Sequence, residues 1–385
     1  MTNSMLLSPP DITDLEESYV IRALRSSWPA PGGPEVERFE RELAAFVGVA
    51  EVVAVSSGTA ALHLSLLAAG IGPGDVVAVP ALTFAATVNA VHYVGAQPLI
   101  VDVAPGDGTI DVDLLGDVLD ANRGVTAVIP VDLFGHCADY PRLLPLARRH
   151  GVAVVCDAAE ALGASLAGRA AGAVGRAGIF SFNGNKILTT SGGGAVATDD
   201  RDLAAQCRRL ANQARLPVAH FEHDAVGYNY RLSAVLAALG RAQLQRLPGM
   251  MKRRRTIRER YLDAFADRPE IAVLGGDDPG GNCWLTAITV DPAAGWRAGQ
   301  LADALAAAGV ETRPMWRPMH RQPAYTDAPT ALTGAADRID ASGLVLPNGS
   351  AATDDAVEHL FAELRRFLAS PRPDRAARSR SRKEG

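Results

Sequence analysis

Aromatic residues are scarce in this 385-residue chain, at 5%, so Ala, Val, Leu and Gly must carry its core. That suits parallel strands buried on both faces beneath closely packed helices. Cysteine is scarce too. Cys137, Cys156, Cys207 and Cys283 stand apart without CxxC spacing. This argues against a zinc site or disulfide framework and fits a reduced, cytosolic compartment. No run is apolar and long enough to cross a bilayer, so no membrane role is expected. The opening Met1–Pro10 lacks a cationic region, and its apolar run is too short for a secretory signal. Nor is there an excess of positive charge. The net charge of −5 gives no support for nucleic-acid binding by the folded body. No GxxxxGKS/T segment, no GxGxxG after a strand and no HExxH occurs, which excludes the phosphate-loop, dinucleotide and zinc-hydrolase signatures.

What is present is a well-filled globular chain. Hydrophobic residues make up 48% and charged residues 21%, a balance that disfavours disorder. The length suffices for about two domains. Apolar runs at Val52–Val55, Val76–Val79, Gln97–Val101, Val125–Val131 and Val152–Cys156 read as strands. Between them, Glu35–Val47, Ala60–Ala69, Thr83–Tyr93 and Tyr140–His150 read as helices. Gly178–Phe182 and Gly194–Thr198 read as a strand pair. This alternation predicts an α/β fold with a mainly parallel central sheet. Leu232–Leu247 reads as a long helix, and the domain change is placed at its end. Trp284–Val290 is then a strand, and Arg297–Ala308 and Ala356–Leu368 are helices. The expected division is a large domain over 1–247, a smaller α+β domain over 248–370, and a disordered basic tail over 371–385.

One constellation carries chemistry. Lys186 sits in Phe180-Ser181-Phe182-Asn183-Gly184-Asn185-Lys186, followed by Ser191-Gly192-Gly193-Gly194. Asp157 ends an apolar run upstream. Ser56-Ser57-Gly58-Thr59 joins a strand to a helix. A lysine amine that can condense with an aldehyde, a carboxylate that can hold a pyridine nitrogen protonated, and a helix N-terminus that can take a phosphate are the needs of pyridoxal phosphate. Each also has a plainer reading. Ser57 suits an ordinary helix cap, Asp157 a strand-end turn, and Phe84 a core aromatic instead of a ring cover. His63 and Cys156 read as core residues.

The ordered set extends further. It includes Gly33-Pro34, Pro80-Ala81-Leu82-Thr83-Phe84, Pro130-Val131-Asp132-Leu133-Phe134-Gly135, Asp157-Ala158-Ala159-Glu160-Ala161-Leu162-Gly163 and Gly227-Tyr228-Asn229-Tyr230-Arg231-Leu232. In these segments, from about Leu7 to Leu368, the chain resembles the DegT/DnrJ/StrS sugar aminotransferases of the fold-type I pyridoxal phosphate enzymes. The resemblance implies that Lys186 carries the cofactor and Asp157 partners its pyridinium. Gly58, Thr59 and Ser181 would hold its phosphate, and Phe84 would cover its ring. Asn229 would reach the phosphate of a partner subunit, giving a homodimer with shared sites. The implied donor is glutamate and the implied acceptor a nucleotide-linked keto sugar. The Lys186 segment and Glu311-Thr312-Arg313-Pro314-Met315-Trp316-Arg317-Pro318-Met319-His320 resemble most the enzymes that aminate UDP-linked 4-keto-6-deoxy-N-acetylhexosamines. Arg231, Arg313 and His320 are then candidates for the substrate. A GDP- or dTDP-linked acceptor and a catalytically inactive regulatory homologue are the alternatives. A 3-dehydratase is disfavoured, because that variant replaces the lysine. Glu160 stands where many members carry Gln or His. An ionised carboxylate only accepts hydrogen bonds, so Glu160 is expected either to be protonated or to turn away from the cofactor's phenolate oxygen.

Overall fold

The computed structural model describes residues 5–370; the basic tail expected at 371–385 lies outside the described residues. The chain opens with helices α1 (Asp14–Arg25) and α2 (Pro34–Val47). Thr13 and Glu16 close a reciprocal capping box on the first. The main body follows as β1 (Glu51–Val55), α3 (Gly58–Ala68), β2 (Val76–Pro80), α4 (Ala85–Tyr93), β3 (Gln97–Val101), α5 (Val112–Asp120), β4 (Val125–Val128), α6 (Tyr140–His150) and β5 (Ala153–Asp157). A small hairpin, β6 (Ser165–Leu166) and β7 (Arg169–Ala170), leads to β8 (Ala177–Ser181), β9 (Gly194–Thr198) and α7 (Arg201–Ala211).

Then come α8 (Ala234–Phe265), β10 (Ile271–Val273), β11 (Thr286–Val290), α9 (Ala298–Ala307), β12 (Arg313–Pro314), β13 (Thr330–Ala331), α10 (Ala335–Ser342), β14 (Gly343–Leu346) and α11 (Asp354–Ala369). The large sheet has 8 strands in the order β1-β9-β8-β5-β4-β2-β3-β13, and only β9 runs against the others. The smaller sheet, β10-β11-β14-β12, is antiparallel throughout. It packs with α9 and α11 around a separate core that includes Leu301, Leu305, Leu360 and Phe361.

Several predicted bounds shift. The strand expected through Val131 ends at Val128, and the helix expected from Thr83 starts at Ala85 with Phe84 as its N-cap. The helix expected to end at Leu247 continues to Phe265, through Pro248. An interior proline costs a helix roughly 3 kcal/mol. Here burial of Met250, Ile257, Tyr261 and Phe265 beyond it outweighs that cost. The chain therefore passes from one sheet to the other inside one continuous helix. Two segments also cross in the opposite sense. Met5 bridges to Val310 near the small sheet, and β13 adds a parallel strand to β3 of the large one.

Candidate active site

Parallel strands place their carboxyl ends along one edge, where open α/β sheets bind ligands. At that edge lie Gly58 and Thr59 just after β1, Phe84 after β2, Asp157 as the last residue of β5, and Ser181 as the last residue of β8. They line a cavity of about 370 Å³ together with Glu160, Lys186 and Arg313. The β8–β9 connection carries Lys186 into it, so the antiparallel pair predicted from sequence is what delivers the lysine.

Asp157 is buried. Its Oδ2 accepts from Thr87 Oγ1 at 2.7 Å, and its Oδ1 accepts from the Ala159 N–H at 3.2 Å. Thr87 in turn lies 2.7 Å from Thr83 Oγ1. Burial raises the Asp157 pKa above the usual carboxylate range, against the Thr87 and Ala159 hydrogen bonds and the Lys186 charge. A cationic ring nitrogen beside it would meet a carboxylate already oriented.

Glu160 faces the lysine. Its Oε1 stands 3.1 Å from Lys186 Nζ, and its Oε2 accepts the Phe134 N–H at 2.9 Å. Burial raises its pKa as well, opposed by the Lys186 charge and the Phe134 N–H. Nζ also lies 4.1 Å from the centroid of the Trp284 ring. That side chain was not singled out from the sequence. Neither was Thr87, whose signal is only its spacing of four from Thr83 on a helix start.

The small-residue turn fits an anion. Ser57 takes the plain role, its Oγ accepting the Ala60 N–H at 3.0 Å as the N-cap of α3. Gly58 begins the helix, and a Cβ there would stand 2.9 Å from Ser181 Cβ. Glycine is what lets the helix N-terminus and the Ser181 hydroxyl crowd together. Phe84 is 65% exposed and edge-on to Trp316, whose ring also faces the cavity. An exposed position on the cavity wall replaces the core reading of Phe84. Lysine, buried carboxylate, anion-binding turn and aromatic face thus meet in one cavity, a set that fits pyridoxal phosphate.

The remaining candidates are placed differently. Arg313 is exposed on the cavity wall and pairs with Glu311 Oε1 at 2.6 Å, while Glu311 Oε2 accepts the Leu7 N–H. Its charge is therefore shared before any ligand arrives. Asn229 and Arg231 are exposed on the segment that follows α7 and lie outside the cavity wall. His320, on a short 3-10 turn, is also outside it and stands 3.2 Å from Asp337 Oδ2. His63 is buried, as a core residue should be, against Tyr93, Tyr228 and Tyr230.

Comparison with known proteins points to one family. EpsN of Bacillus subtilis is 39% identical, covering 97% of this chain and 100% of its own. GDP-perosamine synthase of Caulobacter vibrioides is 34% identical, over 94% of this chain and 98% of its own. A solved structure of DesI in the presence of its TDP-sugar product superposes with a TM-score of 0.87 at 33% identity, covering 100% of this chain and 97% of that one. The DegT/DnrJ/EryC1/StrS aminotransferase family matches residues 10–365, and the chain belongs to it: a fold-type I, pyridoxal phosphate-dependent sugar aminotransferase.

Proposed function

We propose that this enzyme moves an amino group from glutamate to the 4-keto position of a nucleotide-linked 6-deoxy sugar. The observation that carries the reading is the meeting of Lys186, Asp157 and the α3 N-terminus in one cavity whose wall also holds Arg313. Bound there, pyridoxal phosphate supplies an electron sink that stabilises negative charge at the carbon next to the transferred nitrogen. Lys186 would hold the cofactor covalently, and its amine, when free, would carry a proton between two carbons. Asp157 keeps the ring nitrogen protonated, with Thr87 fixing its orientation. Gly58, Thr59 and Ser181 take the phosphate. Phe84 would cover the ring, and Glu160 would fix the lysine amine through its 3.1 Å contact. Arg313 offers a planar fork to the carboxylate of the donor or the phosphates of the acceptor. Arg231 and His320 are assigned to substrate as well, reached from outside the cavity wall of their own chain.

We also propose a homodimer with shared sites. Asn229 lies outside its own chain's cavity and is exposed, which supports a role at the partner's phosphate.

For the nucleotide, the Lys186 and Glu311–His320 segments support a UDP-linked 2-acetamido sugar. The name of the Caulobacter relative favours a GDP-linked one as the second reading. The test is a panel of UDP-, GDP- and dTDP-linked 4-keto sugars with glutamate, read by mass spectrometry. Amination of one of them is expected. If none is aminated while glutamate still converts the bound cofactor, the acceptor class is wrong.

A further inference from the structure

The loop leading into β11 belongs to the small sheet, yet its side chains reach the lysine. Asn282 is buried. Its Nδ2 donates to the carbonyls of Glu160 at 2.8 Å and Leu162 at 3.0 Å, and its Oδ1 accepts the Trp284 N–H at 2.8 Å. Its own N–H donates to the Gly135 carbonyl. A Cβ on Gly135, which has φ +93°, would stand 1.9 Å from Asn282 Oδ1, so only glycine admits this contact. Between Asn282 and Trp284, Cys283 has φ +56°, a region that L side chains disfavour. The side chains on either side of it, Asn282 and Trp284, both bond to backbone of the large-sheet body.

Trp284 is 2% exposed. Its Nε1 donates to the Asn185 carbonyl at 2.7 Å, and its ring lies against Lys186 Nζ. The same Asn185 carbonyl accepts Ser8 Oγ at 2.9 Å. Arg254 from α8 anchors the assembly. It donates to the Trp284 carbonyl at 2.9 Å, to the Asn348 carbonyl at 2.9 Å and to Ser8 Oγ at 3.2 Å. These hydrogen-bond partners are all uncharged, and burial pushes the guanidinium down to about 10. A buried cation without a carboxylate partner is costly. What it secures is the backbone of Trp284 and the Asn185 turn.

We propose that Trp284 is a positioning residue for Lys186: its ring face holds the ammonium that also meets Glu160, and its N–H pins the carbonyl just before the lysine. This rests on Lys186 being the attachment point of the cofactor. A ring face attracts an ammonium most strongly when desolvated, and small misplacements of a reacting group cost large factors in rate.

The test uses the full-length protein freed of cofactor and reloaded with pyridoxal phosphate. Capture is followed by visible absorbance and visible circular dichroism, and the label is fixed with borohydride. The chain's lysines are Lys186, Lys252 and Lys383, so peptide mapping separates them. Trp284→Leu should slow capture at Lys186 roughly ten- to hundredfold and change the dichroism. Trp284→Phe, which keeps a ring but no N–H, should slow it less. Capture at the wild-type rate by the folded variants overturns the proposal, as does equal slowing in both. If Trp284→Leu does not fold, Trp284→Phe alone decides: wild-type rate and dichroism overturn the role, and slower capture with altered dichroism supports it. A wild-type label on Lys252 or Lys383 instead overturns the assignment of Lys186.

Discussion

Asp157 and the two threonines behind it show how a residue type acquires chemistry only through its neighbours. Asp157→Asn should leave the fold in place and remove most turnover, since an amide cannot hold a pyridinium proton by charge. Near-normal turnover would count decisively against that role. Thr87→Val removes one hydrogen bond to a buried carboxylate, a contact of about 1.5–3 kcal/mol. Turnover should fall roughly ten- to a hundredfold, with secondary structure by circular dichroism unchanged. Behind Asp157 lies a second buried carboxylate, Asp132, which accepts from the Ala138 N–H and the Tyr140 hydroxyl. Burial raises it to about 7 against those hydrogen bonds. A raised pKa favours the folded state at low pH. The stability this group contributes is full below about 4 and is lost as pH rises through about 7. Asp132→Asn should therefore gain on the wild type by about 1–4 kcal/mol between pH 4 and pH 8 in urea unfolding. A pH-independent difference would show that Asp132 does not titrate there.

Between elements, the connection after β3 and the one after β10 meet at His136. Its Nδ1 lies 2.7 Å from Asp278 Oδ2 and its Nε2 3.6 Å from Asp107 Oδ2. Burial alone would lower the imidazole, but the two carboxylates beside it, Asp107 and Asp278, outweigh it and raise it to about 9. The tie between the two sheets is then complete below the ordinary histidine value and lost as pH rises through about 9. The wild type should lose melting temperature between pH 7 and pH 9.5, and His136→Gln should lack that loss. Identical pH profiles would remove His136 from the interface energetics. None of this was readable from the chain, because Asp107, His136 and Asp278 are remote in sequence. Helix α8 makes the same point: its expected end is Leu247, and the buried face beyond Pro248 carries the helix on.

At the scale of the whole molecule, the proposed dimer makes the sharpest demand. Its interface should bury at least ~2,000 Å², and sedimentation should find no active monomer at assay concentration. Lys186→Ala and Asn229→Asp homodimers should each be weak. Subunit exchange between them should restore one site free of both changes, with about a quarter of the wild-type rate expected from simple mixing statistics. No recovery would place Asn229 at its own chain's site.

The sequence by itself determined the alternation of strands and helices, the lysine-bearing connection, the strand-end Asp157 and the Ser-Ser-Gly-Thr turn. These are legible because strand and helix periods, and the glycine and hydroxyl demands of a turn, are local properties of the chain. Only the tertiary structure decided that Glu160 faces Lys186, that Phe84 lines the cavity, that Arg313 is shared with Glu311, and that His320 sits with Asp337 outside the wall. It also decided Trp284, which reaches the lysine from nearly a hundred residues further along. Side-chain direction across packed elements depends on long-range contacts, and no local pattern encodes which distant backbone a side chain will meet.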